Sequence, residues 1–330
     1  MGKANINTAE ISRKGSGKTG DALPAGTILK ERYLLKEPIG CGGFGITYLA
    51  MDLCLRIPVA VKELFISGIC RRLSSGDVAV EEKDRECFRD NLLQFLSEAR
   101  MLAMINEAGE PGVVSVKDHF EDHQTACIVM EYLKGLTLRE WILSSRPDPY
   151  ECLEIMEKVS RTMERLHGCG VFHRDISPEN IMILSDFSIK LMDFGSALVF
   201  GTGENQIRSV KAGYTPAEQY REGGRTGAWT DVYSVAATAC FCFTGKRPPR
   251  IMAGKNRRWI KENVGKLPDG RRLSRILERA MDPDASLRTQ SMPELLRSFV
   301  REKKRLRMRL ILSCLIPTAS IPLLFLLCQI

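Results

Sequence analysis

Gly40, Gly42 and Gly45 stand in a G-x-G-x-x-G arrangement inside RYLLKEPIGCGGFGITYLA, residues 32–50, with apolar residues on both sides. Glycines let backbone amides approach phosphate oxygens closely. In dinucleotide-binding folds the same letters open a helix after a strand. Here Ile46-Thr47-Tyr48-Leu49 follows, β-branched and aromatic, so the glycines join two strands as a hairpin. Pro58-Val59-Ala60-Val61-Lys62-Glu63 is another apolar strand, and it ends by presenting a lysine. Beside a glycine hairpin, that ammonium has a phosphate to bind. Two similar signals are rejected. Gly15-Ser16-Gly17-Lys18-Thr19 has the look of a P-loop end, but the first glycine of that pattern falls on Ser12 and no apolar strand precedes it. Met1-Gly2 suggests myristoylation, but position 6, which should carry a hydroxyl, is Ile6.

Four more motifs follow in order. His173-Arg174-Asp175 precedes Asn180 within VFHRDISPENIMI, and Asp193-Phe194-Gly195 comes thirteen residues after the asparagine. Gly213-Tyr214-Thr215-Pro216-Ala217-Glu218 looks like an A-P-E segment, and Asp231 lies in TDVYSVAAT. On these residues the chain resembles the eukaryotic-type protein kinases over about residues 28–300. The wording GGFGITYLA, HRDISPEN and GYTPAEQY is especially similar to bacterial serine/threonine members.

The resemblance implies a bilobal α+β fold, a small β-rich lobe over 28–133 and a larger helical lobe over 134–300, with ATP and Mg²⁺ between them. It implies that Ile39, Gly40, Cys41, Gly42, Gly43, Phe44 and Gly45 cover the phosphates. Thr47 and Ala60 then cover one face of the adenine, Met130 stands behind it, and Glu131 to Leu133 form the hinge. Lys62 reaches the α- and β-phosphates, held by an acidic residue on the next helix. Phe88 to Met104 has a helical apolar pattern that leaves Glu98 among apolar neighbours, so Glu98 is the expected partner. The 36-residue gap between Lys62 and Glu98 points to an insertion at 66–86. Asp193 is the expected Mg²⁺ ligand with Asn180 as the second contact, and Asp175 is the expected base. His173 is expected to pack near Phe194 without a chemical role. Glu218 and Arg288 resemble the family's buried ion pair, with Asp231 as a further structural residue.

Two positions depart from the pattern. The usual lysine two residues after the catalytic aspartate is replaced by Ser177, and the usual threonine before A-P-E is replaced by Lys211. The paired exchange suggests that Lys211 supplies the missing cation at the γ-phosphate. Arg174 suggests ordering by a phosphate on the activation loop, with Ser196, Thr202 and Ser209 as acceptors and self-association for autophosphorylation. The expected activity is transfer of the γ-phosphate to Ser or Thr of protein substrates. A nucleotide-binding pseudokinase scaffold and a small-molecule phosphotransferase are the competing readings.

These residues need a folded frame, and a chain of 330 residues with 44% hydrophobic and 27% charged residues can supply one. Residues 1–27, rich in Lys, Gly, Ser, Thr and Asn, read as a disordered arm. The net charge is +8, of which residues 297–309 carry +6 and residues 1–20 carry +3, so the body is nearly neutral. That argues against nucleic acid as a partner. Residues 301–309 read as a basic juxtamembrane segment. Residues 310–330 contain no charged side chain and would span roughly 31 Å as a helix, enough to cross a bilayer once. A C-terminal membrane anchor with the kinase domain in the cytoplasm is expected. The eleven cysteines are scattered without a C-x-x-C pair and read as small core residues in a reducing compartment.

Overall fold

The computed structural model describes residues 19–199, 211–221, 223–250 and 255–315. The chain divides into two compact units, Met1–Trp141 with Arg165–Val210, and Ile142–Glu164 with Lys211–Ile330.

In the first unit the strands are β1 (Ile28–Leu29), β2 (Tyr33–Cys41), β3 (Gly45–Asp52), β4 (Ile57–Leu64), β5 (Cys70–Arg72) and β6 (Val78–Val80), followed by helix α1 (Arg85–Glu107). Then come β7 (Val116–Asp122), β8 (Thr125–Glu131) and β9 (Gly135–Thr137). Six strands form an antiparallel sheet in the order β1-β2-β3-β4-β8-β7. Alternation along β3 and β4 gives the sheet two apolar faces. One gathers Tyr33, Leu35, Tyr48, Val59, Val61 and Val129, and the other packs Leu64, Ala126 and Ile128 against Phe95 and Ala99 of α1. On α1 the buried positions Asn91, Phe95, Glu98, Leu102 and Ile105 recur at steps of four and three, the helical period. Glu98 therefore lies on the stripe that faces the sheet.

Helix α2 (Leu138–Ser145) and the long α3 (Pro149–Gly168) run from one unit into the other and back. The first unit resumes with β10 (Val171–Phe172), β11 (Ile181–Leu184), β12 (Ile189–Leu191) and β13 (Leu198–Val199). β11 pairs with both β12 and β9.

The second unit is helical: α4 (Ala228–Thr244), α5 (Lys255–Asn263), α6 (Gly270–Ala280) and α7 (Met292–Leu315) join most of α3. α4 is buried on every face from Thr230 to Cys242. It ends at Gly245, whose φ of 64° is a left-handed cap with its N–H bonded to Phe241 O.

Two expectations change, and a third gains its form. Residues 19–27 are not part of a disordered arm: Leu23 is buried in the sheet core, its N–H bonds Tyr48 Oη, and Thr27 O receives Leu35 N–H. One apolar side chain with a partnered backbone suffices to hold that stretch. The insertion at 66–86 is a β5–β6 hairpin followed by a 3₁₀ turn at Glu82–Asp84. The boundary drawn at 300 falls inside α7, which continues through 301–309 with Glu302 buried and Lys303 paired to Glu157. Residues 316–330 of the expected membrane segment lie outside the described residues, and among the described residues no helix is long and apolar enough to cross a membrane. Of the nine cysteines whose side chains are described, all free thiols, Cys127, Cys152, Cys240 and Cys242 are buried as the core reading requires, whereas Cys54, Cys87 and Cys169 are exposed.

Candidate active site

Cross-strand partners in a sheet point to the same face. Thr47 pairs with Lys62, and Ala60 pairs with Met130, so these four expected nucleotide contacts share one face of the sheet. The glycine hairpin joins β2 to β3, with Gly42 N–H bonded to Gly45 O at 2.9 Å. Its tip is tied to the end of β4 by Ser67 N–H to Gly43 O at 3.0 Å. Gly45 has a packing reason of its own, because a Cβ there would meet Glu63 O at 2.7 Å. Ile39 falls in the irregularity between Pro38 and Gly40, and Cys41 packs at the edge of the core. The hinge follows β8. Glu131 accepts Ser115 N–H and the Lys190 ammonium, and Leu133 is buried.

The Lys62 ammonium lies 2.9 and 3.0 Å from the two carboxylate oxygens of Glu98 and 3.1 Å from Asp193 Oδ1. Burial alone would lower its pKa, but the carboxylates of Asp193 and Glu98 outweigh burial and raise it above the ordinary lysine value. Glu98 is shifted up by burial, which the shared ammonium only partly offsets. The Phe194 N–H donates to Glu98 Oε1 at 3.2 Å, and the Gln94 amide, one turn earlier on α1, donates to Gly195 O. Helix α1 thus holds the Asp193-Phe194-Gly195 segment at two points. Gln94 was not among the expected site residues; its position four residues before Glu98, on the same helix face, is the signal that would have found it.

The twelve residues between Asn180 and Asp193 are closed by the β11–β12 hairpin, and Met192 N–H bonds Asn180 O at 2.9 Å. Asn180 uses its amide nitrogen on Asp175, to the backbone oxygen at 2.8 Å and to Oδ2 at 3.1 Å. Its carbonyl oxygen is then the atom left for a cation. Asp193, with φ 61°, has a side chain 49% exposed. Asn180 and Asp193 offer hard oxygens, which fit Mg²⁺. Among the described residues no three His, Cys, Asp or Glu side chains converge on one point, so a cation here would take its other oxygens from phosphate and water.

His173 is fully buried, with Nε2 3.2 Å from Met192 O, Nδ1 accepting Asp175 N–H at 3.3 Å, and its ring 4.5 Å from that of Phe194. Since Nδ1 accepts, the proton belongs on Nε2, where Met192 O receives it. The ring is thereby committed to structure. Arg174, φ 61°, donates from Nε to Ser196 O, and Ser196 is buried, a poor position for a phosphate acceptor. Thr202 and Ser209 lie outside the described residues.

In the second unit Arg288, fully buried, forks onto Glu218 at 2.6 and 3.2 Å and also donates to Trp229 O and Asp282 O. Asp231 is buried in the first turn of α4. Lys211 belongs to this unit, its N–H bonded to Thr215 Oγ1 at 2.8 Å.

The protein kinase domain family matches residues 33–313. Serine/threonine-protein kinase PknB of Mycobacterium tuberculosis is 33% identical over 230 residues, 67% of this chain and 33% of that protein. PknL of the same species is 33% identical over 227 residues, 67% of this chain and 51% of that protein. PknB of Mycobacterium leprae is 34% identical over 229 residues, again 67% of this chain and 33% of that protein. A solved structure described as PpkA-294 apo form aligns with a TM-score of 0.72 at 28% identity, covering 85% of this chain and 100% of that one. The chain spans about a third to a half of the length of these curated relatives. The sheet with α1 corresponds to the β-rich lobe of the kinase fold, and α2–α7 to the helical lobe. With the family's pattern matched over most of its length, the chain belongs to the protein kinase family.

Proposed function

We propose that the chain is an ATP- and Mg²⁺-dependent protein kinase that transfers the γ-phosphate to Ser and Thr hydroxyls of protein substrates. The observation that carries this reading is the convergence of the Lys62 ammonium on Glu98 and Asp193. Phosphoryl transfer needs little covalent chemistry from the protein, so its residues position the reactants and neutralise charge. Lys62, steadied by Glu98, binds the α- and β-phosphates. Asp175 orients the attacking hydroxyl and accepts its proton, and the Asn180 amide keeps its carboxylate aimed. Asp193 and Asn180 would hold the metal, which would supply positive charge to neutralise the phosphates when bound. Lys211 takes the place of the cation missing at Ser177.

The kinase domain is further proposed to sit on the cytoplasmic face of a membrane through residues 310–330, a reading supported by their lack of charge and the cationic run before them. Incubation with labelled ATP and Mg²⁺ tests the activity. Wild type should label a Ser/Thr protein acceptor, and Asp175→Ala and Asp193→Ala should not. Nucleotide binding without transfer would instead favour a pseudokinase scaffold, and transfer to small molecules alone a small-molecule phosphotransferase.

A further inference from the structure

The chain's positive charge is not confined to its ends. Residues 255–309 hold seventeen Lys and Arg against seven Asp and Glu, a net of +10 in a chain whose total is +8. The near neutrality of the body hides a division that only the fold makes visible, because this stretch is the layer α5, α6 and α7 of the second unit. The helices are stitched together by Lys261–Glu278, Arg279–Glu294 and Arg305–Asp269. Many cations remain over. Arg271, Arg275, Arg297, Arg301 and Lys304 are exposed and have no carboxylate partner among the described residues.

Two features give this charge a shape. Between α5 and α6 lies a shallow groove of about 340 Å³ lined by Lys261, Gly265, Arg271, Ser274, Arg275 and Glu278, with three cations against one carboxylate. Along α7, Arg297, Arg301, Lys304, Met308, Ile311 and Leu312 are all exposed at steps of four, three, four, three and one. At 3.6 residues per turn they form one stripe about 100° wide. It is cationic for its first half and apolar for its second, with Met308, Ile311 and Leu312 exposed by 56%, 43% and 54%. The change takes place along about 22 Å of helix, and the uncharged residues 313–330 follow in the sequence. A nucleic acid or an acidic protein would explain the cations but not the exposed apolar half. A surface that is anionic outside and apolar beneath explains both.

We propose that the α5–α6 groove and the exposed stripe of α7 dock on an anionic phospholipid surface, holding the helical unit against the bilayer. This deepens the membrane reading above and rests on it. α7 is continuous from Met292 to Leu315, so no flexible linker separates the folded unit from the residues that would enter the bilayer.

The test uses the full chain on vesicles of phosphatidylcholine alone or mixed with phosphatidylserine. Alkali-resistant flotation reports insertion of 310–330, and arginine labelling by a dicarbonyl reagent reports docking. Arg271, Arg275, Arg297 and Arg301 should label about threefold or more slowly on phosphatidylserine vesicles, and high salt should remove the difference. In the variant Arg271→Glu/Arg275→Glu/Arg301→Glu/Lys304→Glu, Arg297 should label alike on both vesicles, with the melting temperature and soluble-peptide phosphorylation unchanged. Flotation with equal wild-type labelling on both vesicles overturns the docking and leaves the anchor standing. Loss of alkali-resistant flotation with phosphatidylserine-specific protection removes the anchor and leaves the docking standing. Equal protection by a short RNA at matched phosphate concentration overturns the proposal in favour of a nucleic acid.

Discussion

Two carboxylates share one ammonium at the centre of the site, and the sharing has a pH consequence. Burial raises the Glu98 carboxyl above its ordinary 4.5, and Lys62, divided between Glu98 and Asp193, offsets this only in part. As the pH falls through that raised value, Glu98 takes a proton and its ion pair with Lys62 is lost while Lys62 stays charged. The acid limb of kcat/KM for a soluble peptide should therefore lie above 4.5, and Glu98→Gln should remove that limb while lowering the plateau. An unchanged limb in the variant would assign it to another group. Gln94 acts on the same segment from one turn away, and Gln94→Ala should lower kcat by about tenfold with little change in nucleotide affinity. Lys211→Ala should lower turnover by more than about tenfold, again with nucleotide affinity nearly kept. Ordinary turnover in that variant would show that another group compensates for Ser177.

The elements that hold these residues include one that local pattern did not reveal. Glu63 follows Lys62 on β4 and points to the opposite face, where Arg72 of β5 forks onto it at 2.8 and 2.7 Å and Tyr48 Oη donates to it at 2.8 Å. The Arg72 guanidinium also donates to Asp21 O and Gly76 O, so the inserted hairpin clasps the back of the strand that carries Lys62. This ion pair is buried, with side chains 9% and 1% exposed. Arg72→Leu would strand the Glu63 carboxylate and should cost about 3–5 kcal/mol in chemical denaturation, whereas Arg72→Leu with Glu63→Leu should cost much less. Equal losses in the two variants would mean that the hairpin's packing, and not the ion pair, holds β4. The contrast with α1 explains what a sequence makes legible. Asp193, Asn180 and Lys62 stand out as candidates because phosphate and metal chemistry restricts the residue types, and Glu98 because a helical period sets it on an apolar stripe. The three-residue strands β5 and β6 are too short for a period, and Arg72 meets its partner through the third dimension. The bond from Gln94 to Gly195 O likewise joins segments 101 residues apart.

At the scale of the whole molecule, the placement of charge and the extent of the folded domain are one question. Read along the chain, the run of cations at 297–309 looks like a tether after the domain. Folded, it is half core and half surface: Phe299 and Glu302 are buried, Lys303 reaches Glu157 of α3, and Arg305 bridges Glu302 and Asp269, while Arg301, Lys304 and Arg307 face solvent. Charge patterning hid the buried half because a helix with one cationic face sums to a basic segment whatever its other face does. Two truncations separate the alternatives. A chain ending at Arg309 keeps every one of these contacts, and its melting temperature should match that of the full chain within about a degree. A chain ending at Val300 loses Glu302, Lys303 and Arg305 together and leaves Glu157 with Arg161 alone and Asp269 without a partner. Exposed pairs contribute about 0.2–1 kcal/mol each, and a buried residue adds more. A loss of about 2–3 kcal/mol, or a drop of roughly 4–12 °C in melting temperature for a domain of this size, is expected. Identical melting of the two truncated chains would return residues 301–309 to the status of a tether and separate the basic face of α7 from the fold that presents it.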